Sequence, residues 1–218
     1  MNDAVSLATR AQLHAALGDP IRLGIAEELA LCDRTSSELA RQFELPTNLL
    51  AHHLAVLERA GLVVRTPSSG DRRRRYVRLR RERLTDLDLA TPVARGRALF
   101  VCTHNSARSQ LAAALWRWRT GNEARSAGTQ PARRVHPGAV AAARRAGFDL
   151  AGARPRRLED ADLDADLVVT VCDRAHEQLN ASTAWLHWSI PDPAAAGTAA
   201  AFDDTIAALD GRIATLTA

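Results

Sequence analysis

The stretch Cys102-Thr103-His104-Asn105-Ser106-Ala107-Arg108-Ser109 places an arginine six positions after a cysteine. A cysteine attacks as its thiolate, and its free pKa of about 8.5 is lowered by neighbouring cations and helix N-termini. A loop turning from a strand into a helix points successive backbone N–H groups inward, forming a nest that suits a tetrahedral oxyanion. Arg108 would close that nest with a planar fork that grips two oxygens. Ser109 can donate a hydrogen bond to the thiolate, and Asn105 tolerates the left-handed backbone such loops often need. Cys102 is therefore the candidate nucleophile. Thr103, His104, Asn105, Ser106, Ala107 and Arg108 are the candidate oxyanion-binding residues.

Spacing alone is weak, since a buried structural cysteine and a surface arginine would satisfy it by chance. Context makes it specific. Arg97-Ala98-Leu99-Phe100-Val101 reads as an apolar strand entering the loop, and a helix over about 106–119 leaves it. Asp166-Leu167-Val168-Val169-Thr170-Val171 is a second buried-strand run. Between the two, His136-Pro137 opens an Ala-rich helix ending near Gly147, and residues 202–216 read as a closing helix. Strands alternating with helices predict an α/β unit over 97–218, a parallel sheet flanked by helices on both faces.

Residues 97–217 resemble the low-molecular-weight tyrosine phosphatase and arsenate reductase superfamily. The resemblance rests on the loop, on Ser126-Ala127-Gly128-Thr129 with Val135-His136-Pro137, and on Gly147-Phe148-Asp149-Leu150 with Arg154-Pro155-Arg156. It also includes Trp188-Ser189-Ile190-Pro191-Asp192-Pro193, which is similar to that family's acid loop and implies Asp192 as the general acid. A plain turn aspartate before proline is the alternative. Tyrosine phosphatases of this family usually carry aromatic residues after the acid-proline pair, whereas Ala194, Ala195 and Ala196 follow here. His187-Trp188 looks like the arsenate reductase version. Val169-Thr170-Val171-Cys172-Asp173 resembles the strand carrying the first resolving cysteine of thioredoxin-coupled reductases. No further cysteine lies between Arg174 and Leu186, so an internal three-cysteine relay is impossible in this segment. Either Cys172 closes a disulfide with Cys102, or an external thiol resolves the adduct; a buried strand-end role for Cys172 stays open. Residues 171–177 resemble actinobacterial reductases that use mycothiol and a mycoredoxin. His104 stands where phosphatases commonly have Gly, a position to narrow the mouth or contact substrate.

The first half reads as short helices ending in a hairpin. A helix around Leu7, Leu13 and Leu17 precedes Asp19-Pro20, an N-cap and first-turn proline opening a second helix with Ile21, Ile25, Leu29 and Cys32 inward. Thr35-Ser36-Ser37-Glu38 is a capping box for a third helix through Phe43, and a fourth runs from Thr47 to Ala60, stopped by Gly61. A strand over 62–65, turn residues 67–71 and a strand over 74–79 follow. Nine arginines between Arg65 and Arg83, against Asp71 and Glu82, make a candidate polyanion contact.

Residues 10–80 resemble ArsR/SmtB winged-helix repressors, on the run from Pro46 through Val63 and on the basic hairpin. The resemblance implies a winged helix-turn-helix domain over 1–83 that binds a double-stranded DNA operator as a homodimer. Leu50, Leu54 and Leu57 would pack inward, leaving Thr47, Asn48, His52 and His53 to the major groove and Arg72, Arg73, Arg74 and Arg75 to phosphates or the minor groove. Members often sense metals through cysteine pairs. Here Cys32 stands alone, which fits a small buried residue better than a soft-metal site. Residues 84–96 are expected to be a linker.

Every one of the 29 basic residues is Arg, and the formal net charge is +4. Three dispersed cysteines exclude a disulfide framework, and no CxxC pair suggests zinc. No apolar run approaches a membrane span, and Met1 to Arg10 lack a secretory pattern, so a cytoplasmic location is expected. The expectation is a repressor fused to an arsenate reductase with no bound metal or cofactor. Arsenate or phosphate is the expected oxyanion, and the reductant a mycothiol/mycoredoxin or thioredoxin-type thiol. The alternatives are a regulator whose second domain only senses an oxyanion, and a low-molecular-weight tyrosine phosphatase.

Overall fold

The computed structural model describes residues 7–83, 96–179 and 185–217. Contacts divide the chain into two compact units, one of Met1–Pro67 with Arg74–Ala90, the other of Ser68–Arg73 with Thr91–Ala218. Except for Gly96, the expected linker over 84–96 lies outside the described residues.

The first unit begins with α1 (Leu7–Leu17) and α2 (Pro20–Leu31). The Asp19 side chain accepts the Arg22 N–H and Pro20 needs no partner for its nitrogen, so the start of α2 is fixed locally. Strand β1 (Arg34–Thr35) leads into α3 (Ser36–Gln42), where Thr35 and Glu38 form the predicted capping box. Glu44 adopts a positive φ of 53° in the tight turn before α4 (Thr47–Arg59). Strands β2 (Val63–Pro67) and β3 (Arg75–Leu79) form the hairpin, and β1 adds to it antiparallel, giving the order β1-β3-β2. The short strand β1 has no periodicity of its own and was not foreseen.

Ile25, Leu29, Leu39, Leu50, Leu54 and Leu57 are fully or almost fully buried in one cluster with Val63 and Val77. Each such side chain contributes about 1.5–3 kcal/mol on burial. This core locks α4 against α2, α3 and the hairpin.

The second unit carries β4 (Ala98–Cys102), α5 (Arg108–Thr120), β5 (Ala124–Gly128), α6 (Pro137–Arg145) and β6 (Leu167–Thr170). Then come α7 (Asp173–Leu179), β7 (Leu186–His187), α8 (Pro193–Ala196) and α9 (Ala199–Thr217). The sheet is parallel in the order β5-β4-β6-β7. Every residue of β4 is buried, as a central strand covered on both faces must be. Alternation sends Phe100 to Trp116 of α5 and to Trp188, with ring centroids 6.0 and 5.9 Å away. Leu99 and Val101 point the other way, into a cluster with Val168 that Leu179 of α7 covers. The predicted α/β class with helices on both faces is therefore what the chain forms.

Helix α5 starts at Arg108, two residues later than its sequence pattern suggests, because the loop stays non-helical through Ala107 (φ −140°, ψ −84°). Strand β5 escaped prediction because Ala124-Arg125-Ser126-Ala127-Gly128 lacks branched or aromatic residues; its pairing to β4 supplies what its propensity does not. Among the described residues no helix is long and apolar enough to cross a membrane.

Candidate active site

The loop between β4 and α5 folds around one sulfur. Cys102 is 2% exposed. Its Sγ accepts the Asn105 backbone N–H at 3.2 Å and lies 3.0 Å from Ser109 Oγ. Asn105 takes φ 47°, the left-handed backbone expected of it, and this kink turns its N–H back onto the sulfur. Its side chain then braces the loop. Nδ2 donates to Ser109 Oγ at 2.8 Å, while Oδ1 accepts from Arg156 N–H at 2.9 Å and Gln110 Nε2 at 3.1 Å. Gln110 also donates to the Asn105 and Arg154 carbonyls.

The segment after β5 straps the loop from outside. N–H groups of Thr129, Gln130, Ala132 and His136 donate to the carbonyls of Cys102, Thr103, His104 and Ser106 at 2.8–3.2 Å. Gly128 makes that approach possible, since a Cβ there would lie 2.8 Å from Thr103 O and 2.9 Å from Asn105 Cβ. This is the physical content of the Ser-Ala-Gly-Thr motif. Gln110, Gly128 and Arg156 were not singled out as site residues; the glycine in the quoted motif was the one available signal.

Arg108 is buried, with Nη1 donating to Ile190 O at 3.0 Å and Nη2 to Asp192 Oδ2 at 2.9 Å. Cys102, Arg108, Ser109 and Asp192 thus converge from β4, α5 and the segment before α8. Asp192 also caps α8, its Oδ1 accepting Ala194 N–H at 3.2 Å, so the turn role and the pairing with Arg108 coexist. Thr103 Oγ1 lies 3.3 Å from Cys172 Sγ. Cys172 is fully buried; burial, and then the neighbouring Cys102, push its thiol pKa up. His104 is exposed, its Nδ1 3.1 Å from Gln130 O.

A second buried polar cluster adjoins Cys172 in sequence. Thr170 Oγ1 sits between Nδ1 of His176 (3.0 Å) and Nδ1 of His187 (2.9 Å), with the two rings stacked at 4.1 Å. His187 Nε2 is 3.2 Å from Asp173 Oδ1. Burial alone would raise the Asp173 pKa, but hydrogen bonding, chiefly to His187, brings it down to about 2. No spacing along the chain shows that these four meet, because 170, 173, 176 and 187 come from three elements.

In the first unit Thr47, Asn48 and His52 are exposed on α4, as expected of groove-contacting residues. His53 is a correction. It is 7% exposed and faces Asp19 Oδ1 at 3.6 Å, because Leu50, His53, Leu54 and Leu57 form the buried i, i+3, i+4, i+7 stripe. Adjacent helical residues point about 100° apart, so exposing His52 buries His53. Arg72, Arg73, Arg74 and Arg75 are all exposed on the wing. Other arginines of the basic run serve the fold: Arg65 pairs with Glu58 at 2.7 Å, Arg78 with buried Asp33 at 3.5 Å, and Arg81 donates to the Leu29 and Ala30 carbonyls. Cys32 is fully buried at the end of α2.

Comparison with known proteins settles the lineage of the second unit. The family model "low molecular weight phosphotyrosine protein phosphatase" matches residues 97–218. The chain belongs to that family. A helix-turn-helix domain model matches residues 17–66, in agreement with the winged-helix resemblance. The arsenate reductase of Bacillus licheniformis is 36% identical over 104 residues, covering 44% of this chain and 73% of that protein. That of Halalkalibacterium halodurans is 37% identical over 103 residues, with the same coverage of 44% and 73%. The solved low molecular weight protein tyrosine phosphatase from T. tengcongensis is 26% identical, covers 55% of this chain and 96% of its own, and superposes with a TM-score of 0.49. The second unit is thus of the phosphatase and arsenate reductase type, on a chain that also carries a helix-turn-helix domain.

Two predictions follow from this geometry. Asn105→Ala loses the side-chain braces and adds about 1 kcal/mol of left-handed strain that Asn105→Gly avoids. Thermal unfolding should rank wild type above Asn105→Gly above Asn105→Ala. Asp173 titrates lower folded than unfolded, so its ionisation stabilises the second unit fully above pH about 4 and ever less as pH falls towards about 2. The contribution is about 2 kcal/mol. Acid titrations of stability should lose that limb in Asp173→Asn, whose own stability at neutral pH is lower.

Proposed function

We propose that this chain is a transcriptional repressor fused to a thiol-dependent arsenate reductase. One observation supports the enzyme half above the others: the Cys102 sulfur held by Asn105 N–H and Ser109 Oγ, beside an Arg108 guanidinium already forked onto Asp192 and the Ile190 carbonyl. In the proposed reaction arsenate enters the cup and its oxygens take over the Arg108 fork. Cys102 Sγ attacks the arsenic in line. The amides of Thr103 to Arg108 stabilise the charge, and Asp192, released from Arg108, takes up the acidic hydrogen that a hydrogen arsenate ion brings and delivers it to the departing oxygen. A second thiol then attacks Cys102 Sγ. The sulfur–arsenic electron pair passes to arsenic, reducing it, and arsenite leaves.

Arsenate is favoured by the alanines of α8 beyond Asp192, which offer no aromatic wall, and by the arsenate reductases among the relatives. The resolving thiol is Cys172 or an external thiol of the mycothiol/mycoredoxin or thioredoxin type. Cys172 lies one hydroxyl away from the loop, and the part of its raised pKa that comes from Cys102 disappears once Cys102 is esterified. Its full burial favours a second reading, a phosphatase in which water hydrolyses the adduct and Cys172 is structural. Turnover of p-nitrophenyl phosphate that depends on Cys102 and Asp192, without arsenite release, would select that reading.

In the repressor half, Thr47, Asn48 and His52 of α4 would meet base edges and Arg72, Arg73, Arg74 and Arg75 the phosphates. A homodimer would read a palindromic operator. The division into residues 1–83, a linker over 84–96 and residues 97–218, and a cytoplasmic location, belong to the same proposal.

Arsenite release from arsenate with mycothiol, thioredoxin or a simple thiol should be abolished in Cys102→Ser; equal release by that variant would end the reductase claim. Replacing Arg73 and Arg74 together by Ala should weaken operator binding and reduce the salt slope by about 2. An unchanged slope in a salt titration would remove the wing from the DNA contact.

A further inference from the structure

We infer that Asp173 and His187 are a positioning pair for Asp192, an inference that rests on the reductase reading and on the proton transfer it gives to Asp192. The pair is buried with Thr170 and His176 in a cluster that no step of the proposed reaction uses. His187 ends β7, and the segment leaving it runs through Trp188, Ser189, Ile190 and Pro191 to Asp192. A carboxylate only accepts, so His187 Nε2, 3.2 Å from Asp173 Oδ1, carries the hydrogen and donates it. His187 Nδ1 faces Thr170 Oγ1 at 2.9 Å, and the Trp188 N–H donates to the Thr170 carbonyl at 2.8 Å. The Ser189 side chain hydrogen-bonds Asp173 as well. Residues 187, 188 and 189 are thus tied one after another to Thr170 and Asp173, and all of them are buried.

The far end of the segment is held differently. Arg108 Nη1 donates to Ile190 O at 3.0 Å and Nη2 to Asp192 Oδ2 at 2.9 Å. In the proposed reaction the oxyanion takes over that fork, so both bonds are given up just as Asp192 has to meet the departing oxygen. The ties at 187–189 involve neither Arg108 nor the oxyanion and survive the exchange. Beyond Asp192 the cap of α8 also survives, with Asp192 Oδ1 accepting the Ala194 N–H at 3.2 Å. A catalytic group misplaced by about 1 Å can lose about 100-fold in rate, and the buried anchor is what keeps this carboxylate in place.

The anchor suits the task because it is a hydrogen bond to a charge in the interior. With its pKa at about 2, Asp173 is ionised near neutral pH. Breaking a hydrogen bond to a buried carboxylate leaves part of that charge unmet, which costs more than losing an exposed contact. A segment fixed in this way does not follow the guanidinium when it turns to the oxyanion.

In the full-length protein with saturating dithiothreitol, His187→Gln should lower kcat/KM for arsenate by about 10- to 100-fold. In an Asp192→Asn background the same change should cost no more than about twofold, because no carboxylate is left to misplace. A loss that acts through Cys172 or through general loosening would persist in that background. Inorganic phosphate should still protect Cys102 from alkylation with an unchanged midpoint, since the bound anion needs Arg108 and the loop amides but not Asp192. If His187→Gln shows no thermal unfolding transition, Asp173→Asn carries the same comparison. Losses that multiply in the double variant, loss of phosphate protection in a folded variant, or no loss in the single variant overturns the inference while leaving the reductase reading standing. Absence of arsenite release from wild type with every thiol overturns both.

Discussion

The second unit is organised around one left-handed residue. Asn105 at φ 47° turns its amide onto the Cys102 sulfur, and its side chain braces that kink through three hydrogen bonds at once. Oδ1 takes hydrogen bonds from Arg156 N–H and Gln110, and Nδ2 gives one to Ser109. Ser109 in turn approaches the same sulfur. A loop of this curvature would relax if left alone. Here the strap of residues 129–136 closes over it, and Gly128 lets the strap come close. The cost of the strained backbone is spread over a network rather than carried by one bond.

From that constraint the chemistry follows in a line. A pinned sulfur fixes where the oxyanion must sit. Helix α5 starts at Arg108 and brings its guanidinium back towards that place, and the guanidinium in turn holds Asp192, which is 84 positions later in sequence. In the proposed reaction the arginine would have two partners in alternation, the carboxylate before substrate and the oxyanion after. Such an exchange would free the carboxylate to take up and hand on a proton. Cys172 is fully buried with its Sγ 3.3 Å from the Thr103 hydroxyl, while His104 is the exposed residue of the loop.

The arginines between Arg65 and Arg83 serve in two ways that their sequence does not distinguish. Arg65, Arg78 and Arg81 fasten the hairpin to α4, to buried Asp33 and to the end of α2, while Arg72 to Arg75 remain exposed at the wing. Helix α4 shows the same economy. A stripe of Leu50, His53, Leu54 and Leu57 anchors it, which leaves Thr47, Asn48 and His52 among the polar side chains facing out.

What the sequence determined by itself was everything encoded by local pattern: the caps at Asp19 and Thr35, the amphipathic helices, the apolar strands at 98–101 and 167–170, and a cysteine loop on a strand–turn–helix frame. Those signals are physical because neighbours in sequence make the interactions. What only the tertiary structure decided were encounters between distant residues. It buried His53, recruited the weakly strand-forming β5, brought Gln110, Gly128 and Arg156 to brace the loop, and joined Thr170, Asp173, His176 and His187 in one buried cluster. Such partners are chosen by the close packing of separate elements, and no spacing along the chain records which of them will meet.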